Sequence, residues 1–369
     1  MKLANRYITT TVLKSLLVTA AIISSIIILI DFVESTRELG DNNNITAFQI
    51  LGLTALKTPQ LVEQTIPIIM LFGVMGALFN LNKRSELIVL RASGWSAWRF
   101  LRPVVMIAIS VGVIWSTVFN PLAEISMQKH YALLSSFSPI SAQNKKVEEI
   151  WLREGSEGEQ IVITGTRNAK NPSKLDKVTF YYFETTDMNT SNLDEKNFLR
   201  RLDAETATLL PTGYWRITSL AENQLSASPV LAQYASIPTN LKQSDIDNAN
   251  TSNLKPTFWK SLPAIRKAER AGFSTVPLRM NWHKQLALPF MLIAMTFIAA
   301  SVSIHLSRQG GTLQLMVSGA LIGFFVYFVN TVMSAFGEAQ TMPVILSAWS
   351  VPLLALLFGV AYLAKIEDG

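Results

Sequence analysis

Six runs of about twenty residues, at roughly 12–33, 57–80, 103–122, 284–304, 312–335 and 343–364, pass almost without charge. A run of that length matches a hydrocarbon core of about 30 Å, and a chain holding six of them is committed to crossing a membrane as helices. Composition agrees: 49% of residues are hydrophobic and only 16% are charged. The second and fourth runs are interrupted by Lys57, Pro59, Glu63 and Pro67 and by Pro289. Those interruptions suit kinked helices packed on protein more than helices bathed in lipid. The apolar stretch of the first run, from Ser15 to Ile30, follows Lys2, Arg6 and Lys14, and Asp31, Glu34 and Arg37 come after it in place of a small-residue cleavage site. It is therefore expected to stay as an uncleaved first span.

Basic residues in short loops mark the cytoplasmic side. Lys2, Arg6 and Lys14 precede the first span. Lys83, Arg84, Arg91, Arg99 and Arg102 lie between the second and third, against Glu86 alone. His305 and Arg308 sit between the fourth and fifth, and Lys365 opens the tail. The remaining short loops are acidic or nearly uncharged, so both termini are expected in the cytoplasm. The net charge of +6 does not point to nucleic acid, because the basic residues sit at the ends of apolar runs and not on one polar domain with interleaved aromatics.

The long stretch 125–280 then falls on the outer side. Its segments 149–153, 160–165, 177–185, 199–210 and 214–220 are rich in Val, Ile, Thr, Tyr and Trp and are separated by Gly155, Gly158, Asn171-Pro172, Pro211 and Gly213. They predict an all-β sandwich or open jelly roll. Residues 243–253 read as a loop and 263–272 as a short helix returning to the membrane. The expected organisation is membrane helices in 1–124, a β-domain in 125–280 and membrane helices in 281–369.

Residues 81–102 form a short basic segment between the second and third spans. Ser85 is placed to cap a helix start, Leu87, Ile88 and Leu90 supply an apolar stripe, and Gly94 supplies a left-handed stop. The result is a rod of about nine residues, roughly 13 Å long at the α-helical rise. On the residues alone it is either a handle for a soluble partner or an amphipathic helix lying on lipid with its basic residues on phosphates.

Most catalytic chemistry has no carrier here. There is no phosphate-cradling G-x-x-x-x-G-K-[ST], so any ATP hydrolysis belongs to another subunit. The three histidines, His130, His283 and His305, are scattered, with no metal-ligand spacing. Cysteine is absent, which removes disulfides, thiolate metal sites and a cysteine nucleophile. No G-x-S-x-G elbow occurs. Glu63 is the main charged residue inside a span, either a relay group or a helix-end carboxylate near the outer interface. Gly73, Gly76 and Ala77 in the second span and Ser318, Gly319 and Gly323 in the fifth allow close helix approach, for packing or for a seam that opens.

The stretch Arg84-Ser85-Glu86-Leu87-Ile88-Val89-Leu90-Arg91-Ala92-Ser93-Gly94, set between the second and third of six spans with a β-domain after the third, closely resembles the coupling-helix segment of the LptF/LptG permease family. Asn120-Pro121 and Asp31-Phe32-Val33-Glu34 also resemble family positions, and the R-S-E-L-x-V-x-x-A-S-G form resembles the LptG branch. The resemblance implies a non-catalytic, multi-pass inner-membrane subunit of a Gram-negative lipopolysaccharide exporter of the ABC type, with its β-jellyroll in the periplasm. It implies an LptF-like permease subunit as heterodimer partner, an LptB-like ATPase dimer that carries the ATP and Mg, and an LptC-like single-span protein. No cofactor is expected on this chain. Lipopolysaccharide is expected to enter from the outer leaflet between the first helix of one subunit and the fifth of the other. ATP-driven closure then expels it towards the β-domains.

For the ATPase contact the resemblance points to residues 84–94. Glu86 and Arg91 supply charge-assisted hydrogen bonds, and Leu87 and Leu90 fill a groove. For the anionic lipid the candidates are Arg37, Lys57 and Lys129, with Phe324 and Phe328 on the fifth span. Family members can be lysine-rich at the end of the first helix, where this chain has Arg37 as its sole cation among Asp31, Glu34 and Glu38. A regulatory or mechanotransmitting ABC subunit that moves no lipid is the competing expectation.

Overall fold

The computed structural model describes residues 2–39, 45–86, 89, 92–137, 149–156, 159–168, 171, 173–184, 198–224, 227–239, 241, 256–270, 275–306 and 312–368. The chain forms two compact units. One comprises Met1–Phe137, Pro256–Ser261 and Val276–Gly369; the other comprises Ser138–Lys255 and Leu262–Thr275.

The first unit is helical: α1 (Lys2–Leu39), α2 (Ala47–Lys83), α3 (Ala97–Ile114) continued through a π-helical turn (Trp115–Phe119) into α4 (Asn120–Phe137). Beyond the inserted β unit it resumes with the start of α5 (Phe258–Arg270), then α6 (Val276–Leu306), α7 (Thr312–Glu338) and α8 (Val344–Asp368). Among the described residues, six helical rods are long and apolar enough to cross a membrane, α3 and α4 counting as one. The protein is thus a multi-pass membrane protein with an inserted β-domain. Helix α2 starts from a capping box: Gln49 N–H donates to Thr46 Oγ1 (3.4 Å) and Thr46 N–H donates to Gln49 Oε1 (2.8 Å). Helix α6 is the most enclosed of the six and α1 the least. Met291, Leu292, Met295, Ile298 and Ala299 of α6 join Met70, Leu71, Val74 and Leu78 of α2 and Phe100, Leu101 and Val104 of α3 in one core.

Two prolines that interrupt the spans leave carbonyls without their helical donors, and neighbouring helices supply replacements. Pro121 cannot donate to Thr117 O, and the Trp259 indole N–H does so instead at 3.0 Å. Pro289 cannot donate to Gln285 O, and the Ser116 hydroxyl does so at 2.9 Å. This explains why the third rod continues past 122, where the sequence reading ended it, to Phe137. Helix α5 likewise begins before the expected 263. Asn120 Oδ1 accepts the Phe258 N–H (3.0 Å), a cap supplied from α4, and Pro263 is accommodated inside the helix.

In the second unit, β1 (Glu149–Ser156), β2 (Glu159–Arg167), β3 (Lys174–Glu184), β4 (Phe198–Leu210), β5 (Tyr214–Gln224) and β6 (Ala227–Pro238) pair antiparallel in sequence order. Among the described residues this is one up-and-down sheet. Lys177, at φ +51°, interrupts the alternation, so Leu175 and Val178 both face the core although three residues apart. Phe180 packs edge-on against Trp215, both fully buried. The sixth strand was not foreseen: 227–238 carries Pro229 and Pro238 and little alternation, and its place follows from pairing with β5. The loop expected at 243–253 lies outside the described residues.

Candidate coupling site

The end of α2 and the start of α3 frame the segment 84–94. Helix α2 closes with Arg84 N–H donating to Asn80 O (3.2 Å) and Ser85 N–H to Asn82 O (2.8 Å). Ser85 then takes φ +58°, in place of the extended backbone of a Ser helix cap. Its carbonyl still starts the next helical turn, accepting Val89 N–H at 3.1 Å, and Val89 O accepts Ser93 N–H at 3.0 Å. Gly94 closes the rod at φ +81°, the left-handed stop expected of it. Helical backbone is present at Glu86, Val89 and Ala92; Leu87, Ile88, Leu90 and Arg91 lie outside the described residues.

Arg84, Ser85, Val89, Ala92, Ser93 and Gly94 are exposed, while Glu86 is half-buried and turns back towards α1. The Tyr7 hydroxyl donates to Glu86 Oε1 at 3.0 Å. Glu86 Oε2 is enclosed and has no hydrogen-bond partner among the described residues. Ala4, Tyr7 and Ile8 of α1 and Arg84, Glu86 and Val89 of the segment line an open groove of about 540 Å³. Past Gly94, Arg99 stacks over the Trp95 ring at 4.7 Å. Ser96 makes no side-chain cap for α3; Glu367 of α8 reaches across to accept the Ala97 N–H at 2.7 Å. Tyr7 and Glu367 were not singled out from the sequence. They stand 79 and 270 residues from their partners, and neither belongs to a local motif.

The candidate lipid-contacting residues do not come together as one cluster. Arg37 is exposed on the last turn of α1 and Lys129 is exposed on α4. Lys57 is paired: its Nζ lies 2.6 Å from Asp31 Oδ1, with Asp31 only 4% exposed. Glu34 and Glu38 act on the same ammonium. Phe324 and Phe328 are exposed on α7 and stack with ring centroids 6.3 Å apart, beside exposed Leu321 and Phe325. The glycines of α7 face the other way. A Cβ at Gly319 would collide with Met75 and one at Gly323 would lie 3.0 Å from Leu71 Cδ2, so this face is packing against α2.

The charged residue inside the second span also has a local role. Glu63 accepts from Asn120 Nδ2 at 3.1 Å, tying α2 to the start of α4. Of the histidines, His130 is buried with Nδ1 2.9 Å from Leu53 O, and His283 Nδ1 accepts from Trp349 Nε1 at 3.4 Å. Among the described residues no group of three His, Cys, Asp or Glu is arranged to hold a metal ion.

These features meet known proteins along nearly the whole chain. Over an alignment of 383 residues covering 96% of each chain, the protein is 22% identical to the lipopolysaccharide export system permease protein LptG of Haemophilus influenzae. The family model of the lipopolysaccharide export system permease LptF/LptG matches residues 6–365, through all six membrane helices, the segment 84–94 and the β insertion. The chain belongs to the LptF/LptG family of lipopolysaccharide export permeases.

Proposed function

We propose that this chain is the LptG-type permease subunit of an ABC exporter. It extracts lipopolysaccharide from the outer leaflet of a bacterial inner membrane and passes it to a periplasmic bridge. The observation that carries this reading is the family match through residues 6–365. The chain performs no catalysis. An LptB-like ATPase dimer, with its own ATP and Mg, docks at residues 84–94, and an LptF-like subunit completes the cavity. An LptC-like single-span protein receives the lipid with the β-domains. In this arrangement the N-terminus, segment 84–94 and the C-terminus are cytoplasmic and the β unit is periplasmic.

The docking surface follows from the local geometry. The segment bounded by the left-handed Ser85 and Gly94 exposes Val89, Ala92 and Ser93, with exposed Arg84 just before it. It borders a groove lined in part by Glu86, whose Oε2 has no hydrogen-bond partner among the described residues. A cationic side chain of the ATPase entering that groove satisfies Glu86 Oε2, and Arg91 adds a second charged contact. On the lipid side, the exposed aromatics of α7, Phe324 and Phe328, face acyl chains, while Arg37 and Lys129 attract phosphate. Lys57 becomes available to phosphate only when Asp31 releases it.

Affinity purification of the full chain from its native membrane tests the docking reading. A P-loop ATPase co-purifies with the unaltered chain, and the double change Glu86→Arg with Arg91→Glu removes it. Undiminished recovery of the ATPase with the double variant contradicts the assignment of residues 84–94.

A further inference from the structure

The rod at 84–94 is joined to its neighbours through two left-handed residues, Ser85 at φ +58° and Gly94 at φ +81°. Two long-range hydrogen bonds bracket this segment and tie its ends to other helices. On one side the Tyr7 hydroxyl of α1 holds Glu86 Oε1 at 3.0 Å. On the other, just past the second joint, the Glu367 carboxylate of α8 holds the Ala97 N–H at 2.7 Å. Both bonds involve an ionisable carboxylate, which makes them stronger than neutral pairs. Glu367 also places negative charge at the N-terminus of α3, where Ser96 supplies no side-chain cap.

Neither tie joins sequence neighbours, and each leads to a different rod. Tyr7 belongs to α1, along which Leu13, Leu17, Ile22, Ile26, Leu29 and Val33 are all exposed. Glu367 belongs to α8, which packs along the central helix α6 through Gly359 against Phe297 and Ile298. We propose that Tyr7 and Glu367 are positioning residues of the coupling site, which convert movement of the rod into movement of α1 and α8. Tyr7 sets the Glu86 carboxylate and ties it to α1; Glu367 locks the start of α3 to α8. The proposal rests on the reading that residues 84–94 dock an ATPase.

The test uses the complete exporter, with its LptF-like subunit, ATPase and LptC-like protein, reconstituted in liposomes with lipopolysaccharide. Lipid released per ATP hydrolysed is measured, a ratio that a change in the amount of folded complex does not move. Tyr7→Phe and Glu367→Ala are each expected to lower the ratio about tenfold, the factor that one hydrogen bond to a charged group is worth. Glu367→Gln keeps a carbonyl acceptor for Ala97 N–H and is expected to restore most of the ratio. In a Glu86→Ala background Tyr7→Phe is expected to add no further loss, because its partner is already gone. A ratio unchanged in Tyr7→Phe and Glu367→Ala, with the ATPase still bound, overturns the positioning role and leaves the docking reading intact. Absence of any ATPase from the unaltered chain overturns both.

Discussion

Lys57 shows how a single residue changes meaning between sequence and structure. As a cation near the outer end of a span it reads as a phosphate contact; in the folded chain its ammonium lies 2.6 Å from a carboxylate that is itself almost fully buried. The Asp31 charge is balanced from α2. Breaking a buried pair from one side leaves the other charge stranded. Lys57→Met is therefore expected to lower stability by about 1–3 kcal/mol, less than for a fully buried pair because the Lys57 side chain keeps 31% of its exposure. Thermal unfolding in detergent measures this. The charge exchange Asp31→Lys with Lys57→Asp is expected to recover much of the loss, and no recovery would show that the pair is not the cause. Glu86 could be singled out from the sequence because it sits in a dense local motif. Its partner Tyr7 was not, since a tyrosine in a basic N-terminal stretch carries no sign of what it touches 79 residues later.

At the scale of elements, the prolines were visible and their remedies were not. Pro121 and Pro289 announce broken ladders, yet only packing shows that Trp259 and Ser116 supply the missing donors. Ser116→Ala is expected to cost about 1–3 kcal/mol by leaving the buried Gln285 carbonyl unsatisfied, with Ser116→Thr closer to the unaltered chain. The same melting experiment decides it, and equal stability of Ala and Thr variants would contradict it. The six membrane helices were legible from charge-free runs because the bilayer imposes a length. Five strands were legible from β-branched and aromatic clusters. The sixth is a product of pairing and has no strong local signal. In the β unit Trp215 is fully buried against Phe180, so Trp215→Ala is expected to destabilise that unit by about 3–5 kcal/mol. Loss of protection of β3 and β5 amides in hydrogen exchange checks this.

For the whole molecule, the helical and β units were legible from charge-free runs and β-rich clusters, and the family from one eleven-residue stretch set in that layout. The small residues of the fifth membrane span left packing and an opening seam as alternatives; Gly319 and Gly323 pack on α2 and leave Phe324, Phe325 and Phe328 facing out. That outward aromatic face, with the exposed apolar residues of α1, is the surface proposed to meet lipid. The most direct test places a photoreactive amino acid at Phe324 or Phe328 in the complete exporter, reconstituted with lipopolysaccharide and its ATPase. Lipopolysaccharide adducts are expected at both positions before ATP is added, and fewer once ATP drives the lipid out. No adduct at either position, in a complex that still hydrolyses ATP, would contradict the claim that this subunit carries the lipid.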